Sequence, residues 1–347
     1  MKVLHLVASL GAGGAEKQLY LLCRDSASQV DHRVVAIREE GRWADPIRSI
    51  GVRVDCLNSA IRAPAVVFRL RGIISRIRPA IVHCWLPSAN ILGVLAGWPA
   101  PVIASVLNVD DWKPWTYRMA DRFLSRFWSA VLCNSYAGAE WTIRSGIPRE
   151  KVYTIPNGLD SCPPSVRVRS PELTICLASR LVPQKQVDLA LRVAARVPAA
   201  RFLIAGDGPL RPKLEAQAPA NVRFLGHLDD VSPVYARSDI FLSTSVREGT
   251  SNSLMEAMQA GCVPVVTPAG DNARIVTDGI SGRVVSPERM PEAILEVEKR
   301  LDELSEQARQ AAGRLGAKAT ADETVRLYQR LLSNEIHYAN PLPGLHQ

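Results

Sequence analysis

Apolar runs of five or six residues recur along the chain and alternate with segments of helical period. The first is Val3–Ala8, an apolar run of the kind found in a parallel strand covered on both faces. A glycine loop, Gly11-Ala12-Gly13-Gly14, follows it, and then a helix pattern from Ala15 to about Arg24. Further strands are predicted at residues 33–37, 52–57, 80–84, 102–107, 130–134 and 152–155. Serine and proline then gather at Ser161-Cys162-Pro163-Pro164-Ser165 and Ser170-Pro171, which reads as a linker. A second alternating series has strands near 173–178, 201–205, 222–225, 240–242 and 263–266, with helices over 290–314 and 322–333 and an irregular tail from Asn334.

Strand–helix alternation of this kind predicts an α/β fold of two doubly wound, Rossmann-like domains. The expected boundaries are residues 1–160, a linker at 161–172, a second domain at 173–320, and a C-terminal segment, 321–347, packing back toward the first domain. Two such sheets place a cleft between them, and each sheet binds ligands beyond the carboxyl ends of its strands.

Composition narrows the class. The chain has 347 residues, 47% hydrophobic and 22% charged, as a soluble protein with a full core requires. Seven cysteines are scattered without zinc spacing, so they read as small core residues in a reducing cytosol. The uncharged stretch Pro87–Asn108 is divided by Pro99 and Pro101, and neither piece could span a bilayer; a buried helix and a buried strand fit it. The net charge of +8 is uneven. Up to residue 160 there are 20 Lys and Arg against 13 Asp and Glu, and beyond it 22 against 21.

Much of that excess lies on two segments. Arg62, Arg69, Arg71, Arg76 and Arg78 interleave with Val66, Phe68, Leu70, Ile74 and Ile77. Arg118, Arg122 and Arg126 interleave with Met119, Phe123, Leu124, Phe127 and Trp128. Either is a helix resting on an anionic membrane surface or an ordinary helix solvating its arginines. No basic stripe with interleaved aromatics points to nucleic acid.

The candidate chemistry centres on residues 248–256, Glu-Gly-Thr-Ser-Asn-Ser-Leu-Met-Glu. Gly249, Thr250, Ser251, Asn252 and Ser253 form a small polar loop that lets backbone N–H groups approach a ligand, and Leu254 opens a helix. Glu248 and Glu256 flank that helix mouth. Carboxylates there would repel phosphate, which suits them to reading hydroxyl groups; capping acids on a surface helix are the plainer alternative. Arg180 and Lys185 follow the first strand of the second domain and supply cations for a diphosphate. Gly206-Asp207-Gly208-Pro209 follows the next strand, and Asn157-Gly158-Leu159-Asp160 stands where a hinge is expected.

Taken in order, these motifs resemble the GT-B glycosyltransferases of family four, the retaining enzymes that use nucleotide sugars. The resemblance rests on Gly13-Gly14-Ala15-Glu16, Ile155-Pro156-Asn157-Gly158-Leu159-Asp160, Arg180 with Lys185, Gly206-Asp207-Gly208-Pro209 and the 248–256 segment, and it covers most of the chain. It implies transfer of a sugar to a glycan in polysaccharide synthesis, without metal or cofactor, and no Asp-x-Asp is present; the expectation of a lipid-linked acceptor rests on the basic first domain alone. The scattered cysteines lead to the expectation of a cytoplasmic place, and the basic first domain to a place at most peripheral on the inner membrane face. The resemblance assigns Arg180, Lys185 and Glu248 to catalysis. Gly13, Gly14, the residues 249–254 and Glu256 bind the donor in that scheme, and His83 and Asn108 are acceptor-side candidates. Three departures stand out. Leu107 and Asn108 occupy a place where many relatives carry histidine, Gln186 replaces a glycine after the phosphate lysine, and Arg274 stands where an acid is common. An epimerase on the same scaffold and an inactive nucleotide-sugar binder remain open alternatives.

Overall fold

A computed structural model describes residues 1–11, 13–61, 64–97, 99–109, 115–160 and 171–333. Arg62, the linker residues 161–170 and the tail from Asn334 lie outside them. Two compact units are present. One holds the described residues up to Asp160 together with the last helix, and the other holds those from 171 to Gly316.

The first unit runs β1 (Lys2–Ser9), α1 (Gly14–Asp25), β2 (Asp31–Glu39), α2 (Ala44–Ser49), β3 (Arg53–Cys56), α3 (Ala65–Ile77), β4 (Ile81–Trp85), α4 (Pro87–Gly97), β5 (Val102–Val106), α5 (Trp115–Leu124), β6 (Ala130–Cys133), α6 (Tyr136–Arg144) and β7 (Val152–Thr154). The second runs β8 (Thr174–Ala178), α7 (Val187–Arg196), β9 (Arg201–Ala205), α8 (Arg211–Glu215), β10 (Val222–Gly226), α9 (Ser232–Ala236), β11 (Ile240–Ser243), α10 (Asn252–Gln259), β12 (Val263–Val266), α11 (Asn272–Ile275), β13 (Arg283–Val284), α12 (Met290–Glu298) and α13 (Leu301–Gly313). α14 (Ala317–Leu332) returns to the first unit.

Both sheets are parallel, in the orders β3-β2-β1-β4-β5-β6-β7 and β10-β9-β8-β11-β12-β13. Burial explains the apolar runs. β4, β6, β8, β11 and β12 are buried at every residue, because helices cover both faces. In the first unit Val66, Leu70 and Ile74 of α3 join Leu92 and Ala96 of α4 and Ala139 of α6 on one face. Leu19 and Leu22 of α1 and Ile47 of α2 pack on the other, where α14 adds Val325, Tyr328 and Leu331. The uncharged stretch 87–108 is the helix α4 followed by the strand β5.

Three details differ from the pattern. The helix expected over 290–314 is broken at Lys299–Arg300 into α12 and α13. Its apolar spacing runs unbroken through Ile294, Val297, Leu301, Leu304 and Ala308, so periodicity hides the break; both helices pack on β12, and α13 packs on α10 as well. α14 starts at Ala317 rather than near Asp322, because the Ala317 amide docks on the Leu159 carbonyl at 2.8 Å. The two-residue strand β13 is too short to leave a pattern.

Candidate functional site

In the second unit the chain order reverses between β8 and β11, which are neighbours in the sheet. Connections leave these strands toward opposite edges, and the gap between their carboxyl ends is where such sheets bind ligands. Lys185 follows β8 and Glu248 follows β11. Their side chains meet there, Lys185 Nζ donating to Glu248 Oε1 at 2.5 Å, with the two side chains only 17% and 9% exposed. Ala178, Ser179, Ser243, Thr244, Ser245 and Ser251 line the same pocket of about 10 Å³. Arg180 stands exposed at the end of β8.

The backbone around Lys185 is held from several sides. Pro183–Lys185 form one 3₁₀ turn, and Gln186 then adopts a left-handed conformation, φ 43° and ψ 48°, before α7 begins. Thr244, 1% exposed, donates its hydroxyl to the carbonyls of Lys185 at 3.0 Å and Gln186 at 2.9 Å. Gln184 ties the turn to the neighbouring loop, its Nε2 donating to the Arg247 carbonyl at 2.8 Å. Gly206, at φ 130°, lets the β9 loop lie against the loop after β8; a Cβ there would meet the Ser179 carbonyl oxygen at 1.9 Å. Gly270, at φ 57°, does the same for residues 248 and 249, since its Cβ would fall 2.3 Å from the Glu248 carbonyl oxygen.

The 248–256 segment is a loop running into α10. Ser251 caps the helix, accepting from the Leu254 amide at 3.4 Å. Gly249 and Thr250 are buried, Asn252 and Ser253 are half-buried, and the Leu254 side chain belongs to the core. Only the backbone of Leu254 can therefore serve a ligand. Glu256 is half-buried on the second turn of α10. It lies within electrostatic reach of the buried Tyr235, whose hydroxyl is pushed well above its usual pKa by burial first and by this carboxylate next. Arg274 is exposed on the short helix α11. The polar run Ser243-Thr244-Ser245, set directly on the apolar strand β11, is the signal from which the pocket lining could have been read.

In the first unit Gly13 is the N-cap of α1, with an extended backbone and no side-chain cap, and Gly14 is the first helical residue. The Glu16 carboxylate folds back over this start, 2.2 Å from where a Gly13 Cβ would lie. The segment 156–160 is clasped rather than loose. Gln18 pairs both ways with Gly158, donating to its carbonyl at 2.8 Å and accepting from its amide at 3.1 Å. Thr320 donates to the Pro156 carbonyl, and Arg24 binds the Asp160 carboxylate at 2.7 Å. Asn108 accepts from the Val109 amide at 2.8 Å and lines a separate pocket of about 50 Å³ with Leu86, Asn90, Arg118, Asp121, Trp128 and Trp141. Leu86, at φ 74°, carries backbone strain at the carboxyl end of β4.

His83 does not face an acceptor, contrary to the expectation from its place in the strand. It is 1% exposed, and both ring nitrogens are engaged inside, with the Tyr328 hydroxyl at 2.7 Å and the Ser105 hydroxyl at 2.9 Å. Two more histidines join it in the core. The Trp85 indole can only donate, so His5 Nδ1 accepts at 3.2 Å and His5 Nε2 carries the proton that bonds His32 Nδ1 at 2.9 Å. His32 Nε2–H then donates to Ser26 Oγ at 2.9 Å, and the Ser26 hydroxyl donates to the Leu22 carbonyl at 2.6 Å. His5, Cys23 and His32 bring three ligand-type atoms within 4.8 Å, yet this chain of bonds occupies both nitrogens of both imidazoles. Burial keeps the ring pKa values low, His32 at about 4 and His83 at about 3, and it pushes the Cys23 thiol up.

Comparison with known proteins agrees with this architecture. Residues 12–161 match the family model described as Glycosyltransferase Family 4, and residues 172–301 match the one described as Glycosyl transferases group 1. A stretch of 155 residues is 33% identical to the phosphatidylinositol N-acetylglucosaminyltransferase gpi3 subunit of Schizosaccharomyces pombe, covering 40% of this chain and 34% of that protein. The chain spans about a third or less of the length of the curated relatives matched at 33% identity. A longer match, 23% identical over 301 residues and covering 76% of this chain and 75% of the other, is to an Escherichia coli UDP-Gal:alpha-D-GlcNAc-diphosphoundecaprenol alpha-1,3-galactosyltransferase. Anabaena HepE in complex with UDP-glucose superposes with a TM-score of 0.82 at 20% identity, over 95% of this chain and 99% of that one. Two parallel sheets, each with a reversal of strand order, and family models matching both halves show that the chain belongs to the family-four glycosyltransferases of the GT-B fold.

Proposed function

We propose that the chain transfers a sugar from a nucleoside-diphosphate sugar to a glycan or lipid-linked acceptor, with retention of anomeric configuration and without a metal or cofactor. One observation carries this reading: a cation and a carboxylate from different loops converge at the strand reversal, beside the loop that opens α10. A lysine there suits a diphosphate, whose charge grows as the sugar departs, so its grip is strongest in the transition state. Arg180 adds a second cation. Glu248, freed from part of its ion pair by the incoming phosphate, accepts hydrogen bonds from the sugar hydroxyls. The amides of residues 249–254 turn toward the donor, and Glu256 accepts from the ribose hydroxyls. Gly13 and Gly14 stay as donor-phosphate candidates of the first unit. The departing phosphate oxygen takes the proton of the incoming hydroxyl, so no side-chain base is required.

The relatives' names support the substrate class: one is a UDP-galactose transferase with a diphosphoundecaprenol acceptor, and the HepE structure holds UDP-glucose. A thermal-shift screen of the whole chain against nucleotides and nucleotide sugars tests the donor. Stabilisation by one nucleoside-diphosphate sugar is the expected result. With that donor and a lipid-linked glycan, proton NMR of the product is expected to show the donor's anomeric configuration, and EDTA is expected to leave the rate unchanged. An inverted product, or a rate abolished by EDTA and restored by a divalent ion, would overturn the corresponding part of the reading.

A further inference from the structure

The two basic amphipathic segments have different fates in the fold. α3 turns its apolar stripe inward: Val66, Leu70 and Ile74 are core residues, and its arginines are the solvated face of an ordinary helix. α5 does not. Trp115 is 68% exposed, Met119 53%, Phe123 56%, and Phe127, just past its end, 57%. At about 100° per residue, Trp115, Met119 and Phe123 share an arc of about 80°, Arg118 and Arg122 border that arc, and Leu124 lies opposite. Leu124 is the residue that packs partly against the core cluster of α3, α4 and α6. The helix is thus seated by its weakest apolar side and presents its strongest to solvent. Phe123 and Phe127 sit edge to face with centroids 6.0 Å apart, and the Arg126 guanidinium lies 5.6 Å from the Phe123 centroid.

We infer that this face of α5 is a docking surface for an anionic lipid bilayer. Charge complementarity selects that occupant. Three exposed arginines, 118, 122 and 126, stand beside the stripe against one carboxylate, the half-buried Asp121, and Arg118 also borders the pocket that Asp121 lines. Aromatic rings and a methionine insert at the headgroup boundary, while arginine stems lie along the apolar surface with their charges among lipid phosphates. On the same sheet face, α3 and α4 add Phe68, 72% exposed, and the exposed Leu95, whose carbonyl accepts from Arg71 Nε at 3.2 Å. The surface deepens the lipid-linked branch of the proposed function, but binding is read without donor or acceptor, so the two can fail separately.

The test is flotation of the full chain with phosphatidylcholine vesicles, with and without phosphatidylglycerol, at low and high salt. Binding only to the anionic vesicles, reduced by salt, is expected. The Trp115→Ser, Phe123→Ser variant is expected to lower the bound fraction about tenfold with an unchanged melting temperature, and R118Q, R122Q, R126Q is expected to remove the preference for anionic lipid. Brominated acyl chains supply a second reading. Part of the tryptophan emission should be quenched, and that part should vanish in Trp115→Phe, which keeps the apolar stripe. Failure of the wild type to float would overturn the inference. So would equal flotation of the serine variant, or a dimer in solution that the serine variant dissociates while no binding to vesicles occurs.

Discussion

Lys185 Nζ lies 2.5 Å from Glu248 Oε1, and the two side chains are nearly closed from water. The cation to which the proposed function gives the diphosphate and the carboxylate to which it gives the sugar hydroxyls neutralise each other. Removing either partner strands a charge in a poorly solvated place, which costs about 3–5 kcal/mol for a buried pair. Lys185→Ala is therefore expected to lower the melting temperature more than the double variant Lys185→Ala, Glu248→Ala does. Its kcat is expected to fall by about a hundredfold or more, with a smaller change in KM, because the lost contact strengthens as the diphosphate departs. A rise in KM alone would remove Lys185 from the leaving-group role.

Glu256 is read as the ribose ligand from its place on the second turn of α10, half-buried and close to the loop that carries Glu248. A hydrogen bond between a charged carboxylate and a hydroxyl contributes about 1.5–3 kcal/mol. Glu256→Ala is expected to weaken nucleotide-sugar binding by that amount in calorimetry and to weaken the free nucleotide equally. Unchanged affinity in a folded variant would place the ribose elsewhere.

Much of the architecture was legible because two-sided burial writes itself as apolar runs. Among the described residues, twelve of thirteen strands fall where the pattern predicts them, though β3, β7 and β10 are only partly buried, and the uncharged stretch after Leu86 separates into α4 and β5 at its prolines. Lys185 and Glu248 were legible as a cation and an acid following strands, but not as a pair: 63 positions separate them, and only the neighbouring of β8 and β11 brings them together. His83 misled because a histidine near a strand's end reads alike whether it points to ligand or to core; the decisive partners, Tyr328 and Ser105, lie far away in sequence. The two arginine-rich segments were indistinguishable by periodicity, since which side of a helix meets the sheet is decided by its neighbours.

Gln186 sits in a backbone conformation that glycine, the residue expected there from the family resemblance, would adopt without strain. Its φ of 43° and ψ of 48° place a side-chain-bearing residue in the left-handed region, where the Cβ clash costs roughly 1–2 kcal/mol. Thr244 holds the turn in place by bonding to the carbonyls of Lys185 and Gln186. Gln186→Gly is expected to stabilise the chain by about 0.5–1 kcal/mol once the greater freedom of unfolded glycine is subtracted. Gln186→Val is expected to destabilise it and to lower activity through Lys185. Chemical denaturation of the two variants checks the ordering, and equal midpoints would mean that the turn relaxes without strain.

The three core histidines make the first unit sensitive to acid. Burial lowers all three ring pKa values, with neighbouring imidazoles adding to the effect for His5 and His83; His32 falls to about 4 and His83 to about 3, and His5 falls well below 6.5. In the unfolded chain each returns to about 6.5. Above that value both states are neutral and no stability depends on these rings. As pH falls below it the unfolded chain takes up protons that the fold refuses, so stability declines through pH 6 and 5 and the loss is complete only near the folded values. Between pH 7 and pH 5 each histidine that stays neutral in the fold contributes a loss of about 2 kcal/mol. Protonation would also reverse the bonds that Trp85 and His32 make to His5, each of which needs a lone pair or a single proton at a given nitrogen. Hydrogen exchange across this range is expected to show falling protection in β1, β2 and β4, which carry the histidines, with a smaller change in β8 and β11. Equal protection of β1 and β4 at pH 7 and pH 5 would mean that the rings accept protons within the fold, and the neutral chain of hydrogen bonds would have to be abandoned.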